Sequence, residues 1–263
     1  MLKQLPTFTV IYLYFIAAGF GLIMGSALNC LAGRIVSGQK WAGKERSACP
    51  VCGHTLAAKD LVPLFSWLFL KGKCRYCGTR VSVRYPLTEA LLAICYMSLL
   101  WASDLTVHTL SLMVLCSCLF CLSLVDLDIQ IIPHRFLVIP AVVRIAELIY
   151  DGGFSALLAP VLTGLGLGGS VLILSLIMDK VLKKDTMGGG DIKLLALLGL
   201  YFTVPECFLM LILSCILGIL IASLLMKKKS DAAFPFGPAL SLGAWITLLI
   251  GEPLISWYFG LFL

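Results

Sequence analysis

Charge is scarce in this sequence. Of 263 residues only 13% are charged, and the 14 acids are outnumbered by 20 bases. A soluble domain carries about a quarter charged residues, so that class is excluded. No Rossmann-like Gly-rich fingerprint stands in a strand–turn–helix setting, so no cofactor is placed by motif. Internal repetition is poor, which argues against the repeat architecture of secondary transporters. A cleavable signal is not expected either. The first apolar run is too long for an h-region, and its basic flank is C-terminal. Cys30, in "ALNC" (27–30), reads as a small apolar helix residue.

Apolar residues fill the space that charge leaves. They make up 60% of the chain, and the mean hydropathy is +1.02. Apolar runs of about 17–25 residues recur, the length of a helix that spans a bilayer. The sequence predicts an all-α polytopic membrane protein with about eight transmembrane helices and one long polar loop. The expected spans are 8–32, 86–103, 109–126, 136–150, 156–178, 192–206, 207–226 and 237–262. The fourth and sixth are short, and the break after the sixth rests on Pro205 and Glu206.

The bases set the orientation. Ten of them fall in the loop 34–84, against two acids, Glu45 and Asp60. With eight crossings, Arg135, Lys180, Lys183, Lys184, Lys193 and Lys227–Lys229 fall on the same side. Only Lys3 and Arg144 lie elsewhere. The positive-inside rule therefore predicts cytoplasmic loops there and both termini outside. The basic bias reads as contact with anionic lipid headgroups. Nucleic-acid binding is not expected.

Within that loop, "CPVCG" (49–53) and "CRYCG" (74–78) stand 21 residues apart, counted from Cys52 to Cys74. Two Cys-x-x-Cys pairs at such spacing match a four-thiolate zinc ribbon. The glycines permit tight turns whose N–H groups point at sulfur. Cys49, Cys52, Cys74 and Cys77 are thus the expected ligands of a closed, structural zinc. A loop of about fifty residues with few aliphatics needs such a staple. Disulfides or a redox pair are the rival readings, and a reducing cytosol disfavours the first. His54 reads as a solvent-facing neighbour. Cys95, Cys116, Cys118, Cys121, Cys207 and Cys215 lie in apolar spans and read as small membrane residues.

Acids near the hydrocarbon are costly and tend to mark function. Asp126 and Asp128 close the third span in "DLDIQIIP" (126–133), and Asp191 opens the sixth after "GGG" (188–190). The topology puts Asp126 and Asp191 at one depth, 65 residues apart in sequence. Two adjacent carboxyls share a proton; one activates water while the other donates to the scissile carbonyl. That is aspartic peptidase chemistry. An unwound Gly188–Gly190 would admit an extended substrate where it lines a wet cavity. The competing account makes Asp191 a first-turn acid satisfied by its helix dipole. Asp128, two residues on, points to another helix face. Asp179 and Asp185 read as solvated loop charges, and Asp104, Asp151, Glu206 and Glu252 as outer-side loop residues. Arg144 and Glu147 read as a local ion pair. Glu89, near the start of the second span, has no such bland account.

Taken together, these motifs resemble the bacterial type IV prepilin peptidase family nearly end to end. The carriers are "GLIMGSALNCLAGR" (21–34), the whole Cys loop (49–91), "DLDIQIIP", "GGGD" and "FGPAL" (236–240). The resemblance implies a GxGD-type intramembrane aspartic peptidase with Asp126 and Asp191 as its catalytic pair. It implies cleavage of a basic leader from type IV prepilins or type II secretion pseudopilins at the cytoplasmic face of the bacterial inner membrane. It further implies methylation of the new N-terminal amine with S-adenosylmethionine. His134 departs from the family's Asp or Asn after Pro133, a change expected to alter a loop contact only. Gly72, Lys73 and Glu89 are the candidates for binding the methyl donor. The implied division is 1–33, a first transmembrane helix; 34–85, a cytoplasmic zinc loop; and 86–263, a peptidase core. Two readings of other classes compete: an ion-coupled transporter with aspartate proton relays, and a membrane scaffold whose zinc loop docks a partner.

Overall fold

The computed structural model describes residues 5–40, 46–184, 187–225 and 235–261, without the side chains of 224 and 225. Lys3, Lys44, Glu45, Asp185 and Lys227–Lys229, used above for orientation and charge, lie outside the described residues. Those described form nine α-helices and no strand beyond two isolated bridges. The helices are α1 (Thr7–Val36), α2 (Phe65–Phe69), α3 (Arg84–Ser103), α4 (Val107–Ile129) and α5 (Arg135–Gly152). They continue with α6 (Leu158–Leu182), α7 (Gly189–Leu198), α8 (Val204–Leu225) and α9 (Gly237–Gly260).

Eight of these occupy the eight expected positions, and α2 is a five-residue addition inside the loop. Six are long and apolar enough to cross a membrane: α1, α3, α4, α6, α8 and α9. The other two are the pair the sequence marks as short. With 10 residues, α7 rises about 15 Å, half of a bilayer core of about 30 Å. In α5, Arg135, Arg144, Glu147 and Asp151 interrupt an 18-residue helix. The break before α8 falls at 199–203, earlier than expected, and Pro205 and Glu206 sit in the first turn of α8. Glu206 caps that turn, accepting from the N–H and hydroxyl of Thr203 at 2.8 Å each. Glu252 lies inside α9 rather than in a loop.

The chain packs as two units, Met1–Leu105 and Thr106–Leu263. In the first, α1 lies along α3. Apolar burial drives little helix association in lipid, so small residues allow close approach instead. Gly21 and Gly25, four apart, provide it. A Cβ on Gly21 would stand 2.6 Å from the Ala93 Cα, and one on Gly25 2.8 Å from the Glu89 Cα. Asn29 closes the crossing with a buried hydrogen bond to the Thr88 hydroxyl.

In the second unit α4 is the most enclosed helix, buried between α5 and α9. Its thiols Cys116, Cys118 and Cys121 are all buried, as expected of small membrane residues. The Ser123 hydroxyl donates to Ser241 on α9 at 2.9 Å. Gly164 and Gly168 of α6 press on α7, where a Cβ would meet the Ala196 oxygen at 2.6 Å and the Ala196 Cβ at 2.7 Å. Near the start of α4 the expected Arg144–Glu147 pair is present at 2.7 Å, inside a larger cluster. His108 Nδ1 meets the same Glu147 oxygen at 2.6 Å, and Arg144 Nε donates to the Leu200 carbonyl at 3.2 Å. This cluster ties α4, α5 and the end of α7 together.

Candidate active site and metal centre

The end of α4 follows from its sequence. Gln130 turns into the left-handed region (φ 56°, ψ 37°) and donates its N–H to the Asp126 carbonyl at 3.0 Å. Such a cap ends a helix, and Pro133 three residues on prevents resumption. Asp126 thus sits in the last turn, one turn inside the cap. It is 5% exposed, whereas Asp128 is exposed on a different face.

Ile132, in the turn between α4 and α5, reaches α7. A Cβ on Gly190 would stand 2.9 Å from the Ile132 Cβ, so the chains touch there. Gly188 is extended (φ −66°, ψ 134°) and forms the N-cap of α7. Asp191 falls in the first helical turn, and its N–H bonds to the Gly188 carbonyl at 3.0 Å. Its carboxylate oxygen hangs over the cap: a Cβ on Gly188 would lie 3.2 Å from Oδ2. The Ile132–Gly190 contact thereby joins the two aspartate segments, and the carboxyls of Asp126 and Asp191 stand within electrostatic reach of each other.

A third element completes the group, one that the sequence reading left without a role. The N-terminus of α9 meets Asp126 through Gly237, whose N–H donates to Oδ2 at 3.0 Å. The first N–H groups of a helix lack intrahelical partners, and this one finds a carboxylate. Pro238 follows, where no N–H is needed. A Cβ on Gly237 would lie 2.7 Å from that same oxygen. "FGPAL" carried the signal: a glycine before a proline at a helix start.

In the first unit the four thiols converge. The Sγ atoms of Cys49, Cys52, Cys74 and Cys77 all lie within 4.8 Å of one another. Cys49 and Cys77 are 3.9 Å apart. A tetrahedron with Zn–S bonds of about 2.3 Å has edges of ~3.8 Å, so the set has the size to hold a metal ion. Both knuckles share one design. Cys49 N–H bonds to His54 O at 3.0 Å and Gly53 N–H to Cys49 O at 2.9 Å; Cys74 N–H bonds to Thr79 O at 2.8 Å and Gly78 N–H to Cys74 O at 3.0 Å. Gly53 (φ 69°) and Gly78 (φ 72°) take the positive φ that each turn requires. The hydroxyl of Thr79, then its backbone N–H, hold the Cys77 thiol down to about 6. His54 stacks on Tyr76 with ring centroids 3.7 Å apart.

Around the knuckles, Asp60 ties the loop together. Oδ1 accepts from Arg75 Nε at 2.6 Å, and Oδ2 from the Tyr76 hydroxyl at 2.9 Å and the Ala57 N–H at 3.1 Å. The Arg75 guanidinium, aided by Tyr76 and Ala57, holds this carboxyl below the usual carboxylate range. Gly72 (φ 68°) turns beneath Trp67, and a Cβ there would lie 2.8 Å from the indole. Its N–H bonds to Trp67 O and its carbonyl accepts from Val81, both at 2.8 Å. Lys73 is exposed. Glu89, buried in α3, accepts from the Leu64 N–H at 2.7 Å through Oε2.

Each of the two units matches a family model. The model of the bacterial peptidase A24 N-terminal domain matches residues 20–103, and that of the type IV leader peptidase family matches 113–223. A prepilin leader peptidase/N-methyltransferase of Pseudomonas putida is 34% identical, covering 93% of each chain. One of Neisseria gonorrhoeae is 29% identical over 92% of this chain and 93% of its own. A type 4 prepilin-like proteins leader peptide-processing enzyme of Escherichia coli is 34% identical over 88% of this chain and 91% of its own. No solved structure matches. The chain belongs to the type IV leader peptidase family.

Proposed function

We propose that this protein is a prepilin leader peptidase and N-methyltransferase, cutting the leader from type IV prepilins or type II secretion pseudopilins. Asp126 and Asp191 form the catalytic pair. One observation carries the reading. Two acids from distant segments are held together by a glycine contact, with one of them on a helix N-terminus. The pair holds one proton between its two carboxyls. The carboxylate takes a proton from water as the water oxygen attacks the scissile carbonyl. The other carboxyl donates to that carbonyl oxygen, and the amine then leaves with a proton. Of the expected unwound Gly188–Gly190 run only Gly188 is extended, with Gly189 and Gly190 already in α7, so Gly188 is where an extended substrate backbone would approach Asp191.

The Cys49, Cys52, Cys74 and Cys77 cluster holds one zinc, a closed site that staples the loop. S-adenosylmethionine supplies the methyl group when bound. Of the residues proposed for it, Lys73 is exposed, while Gly72 and Oε2 of Glu89 are committed to hydrogen bonds within the loop. The functional division is 1–33, 34–85 and 86–263, with the loop and the aspartates at the cytoplasmic face of the bacterial inner membrane and both termini outside. Neither the family nor its named relatives support a transporter or a scaffold.

Cleavage of a reporter prepilin tests the proposal. Asp126→Asn and Asp191→Asn each abolish it while the protein still inserts, and Asp128→Asn costs less. Retention of more than a few per cent by either of the first two rules out the pair. Equal loss at Asp128 moves the assignment to that residue.

A further inference from the structure

The zinc loop exposes an apolar face that the proposed function does not use. In α2, Phe65, Leu68 and Phe69 are 51%, 54% and 83% exposed. Their spacing, i, i+3 and i+4, puts them on one face. The other side of α2 is committed: Trp67 covers Gly72 and donates its indole N–H to the Val81 carbonyl at 3.1 Å. Leu61 and Val62, just ahead, are exposed as well. An apolar patch of this kind on a loop marks a contact surface.

Depth identifies what it contacts. Glu89 holds the Leu64 N–H at 2.7 Å, so the start of α2 is pinned to α3. The 20 residues of α3 rise about 30 Å, the thickness of the hydrocarbon core. Glu89, five residues past Arg84, lies about 7–8 Å along that rise. Amphipathic segments that lie in the interface bury their apolar face about 5–10 Å deep. The two depths coincide. Charge agrees with them. Lys71 and Lys73 follow α2, are exposed, and have no ion pair among the described residues.

We propose that α2 is an interfacial membrane anchor. Phe65, Leu68 and Phe69 insert at the boundary of headgroups and acyl chains, and Lys71 and Lys73 meet anionic headgroups. Glu89 fixes the anchor at that depth, so the zinc-binding loop lies against the bilayer surface.

The test uses the full chain, reconstituted in vesicles of mixed zwitterionic and anionic phospholipid. The photo-cross-linker p-benzoylphenylalanine replaces Phe69 in one sample and Val51, exposed on the first knuckle, in another. At position 69 one exposed aromatic replaces another, and Val51 is 65% exposed, so neither change disturbs a buried contact. The expected result is lipid adducts at position 69 several-fold above those at 51, enriched in anionic lipid over its share of the vesicle. Adducts to a second copy of the chain, to added prepilin, or to nothing at position 69 would overturn the proposal. So would equal lipid labelling at both positions. The readout does not depend on cleavage or methyl transfer.

Discussion

Gly237 donates its backbone N–H to the Asp126 carboxylate at 3.0 Å, across 111 residues of chain. An added Cβ would sit 2.7 Å from the accepting oxygen. That oxygen ends a side chain, so it can swing away and the fold survives. Gly237→Ala is therefore expected to displace the Asp126 carboxyl rather than unfold α9. A hydrogen bond to a charged group contributes about 1.5–3 kcal/mol, and about 1.4 kcal/mol is a factor of ten in rate. Cleavage of the reporter should fall about 10–100-fold, while stability falls by no more than that one hydrogen bond contributes. Unaltered kcat in this variant would remove the helix N-terminus from the site.

The cluster near the start of α4 predicts an asymmetry in stability. Glu147 is 4% exposed and meets both Arg144 and His108. Its removal leaves the Arg144 guanidinium, only 14% exposed, without a countercharge. Breaking a buried pair from one side costs about 3–5 kcal/mol, whereas replacing both partners with apolar groups is far less damaging. Glu147→Leu should thus lower the unfolding temperature in bilayer mimetics more than Arg144→Met with Glu147→Leu. The reverse order would mean the cluster contributes no buried electrostatics.

Local chemistry made much of this molecule readable from sequence. The Cys-x-x-Cys-Gly pairs specify their own turns, so the convergence of four thiols was legible before any fold. The two apolar runs that read as short, α5 and α7, are the two not long and apolar enough by themselves to count as membrane spans. Contacts between distant segments left no such trace. Nothing around His108 announces Glu147, 39 residues away. The role of Gly237 likewise rests on where α9 begins relative to Asp126. Helix termini are set by caps and tertiary packing, so the break falls at 199–203, ahead of the Pro205 and Glu206 that mark it in the sequence.

Acid should loosen the zinc loop through Asp60. Its carboxyl is held below the usual range by Arg75 first, then by Tyr76 and Ala57. A lowered folded-state value adds stability above the unfolded value, about 3.9, and that stability is lost as pH falls through the folded value. Relative to Asp60→Asn, the wild-type loop should show greater hydrogen-exchange protection at neutral pH. The advantage should disappear below about pH 4. An advantage that grew on acidification would reverse the sign and discard Asp60 as the tie.

The glycines before Asp191 are not equivalent, and their differences test how α7 is held. A Cβ on Gly189 meets nothing within 4 Å. Alanine is a better helix former than glycine by about 1 kcal/mol, so Gly189→Ala should keep full cleavage. On Gly188 a Cβ would lie 3.2 Å from Oδ2 of Asp191, so that carboxylate must yield by a few tenths of an ångström. Gly188→Ala should lower kcat moderately without lowering stability. On Gly190 the new atom would stand 2.9 Å from the Ile132 Cβ, a branched carbon one bond from the backbone. It cannot swing aside, so the contact between the two aspartate segments must open. Overpacking of this kind costs about 1–3 kcal/mol, and it falls on the join that brings Asp191 to Asp126. Gly190→Ala should therefore be the most damaging of the three in both cleavage and stability. Trimming the opposing side chain supplies the control. Ile132→Gly in the Gly190→Ala background removes the opposing Cβ, and cleavage should partly return. If Gly189→Ala were instead the worst, or Ile132→Gly gave no recovery, the Ile132–Gly190 contact would not be what aligns the pair.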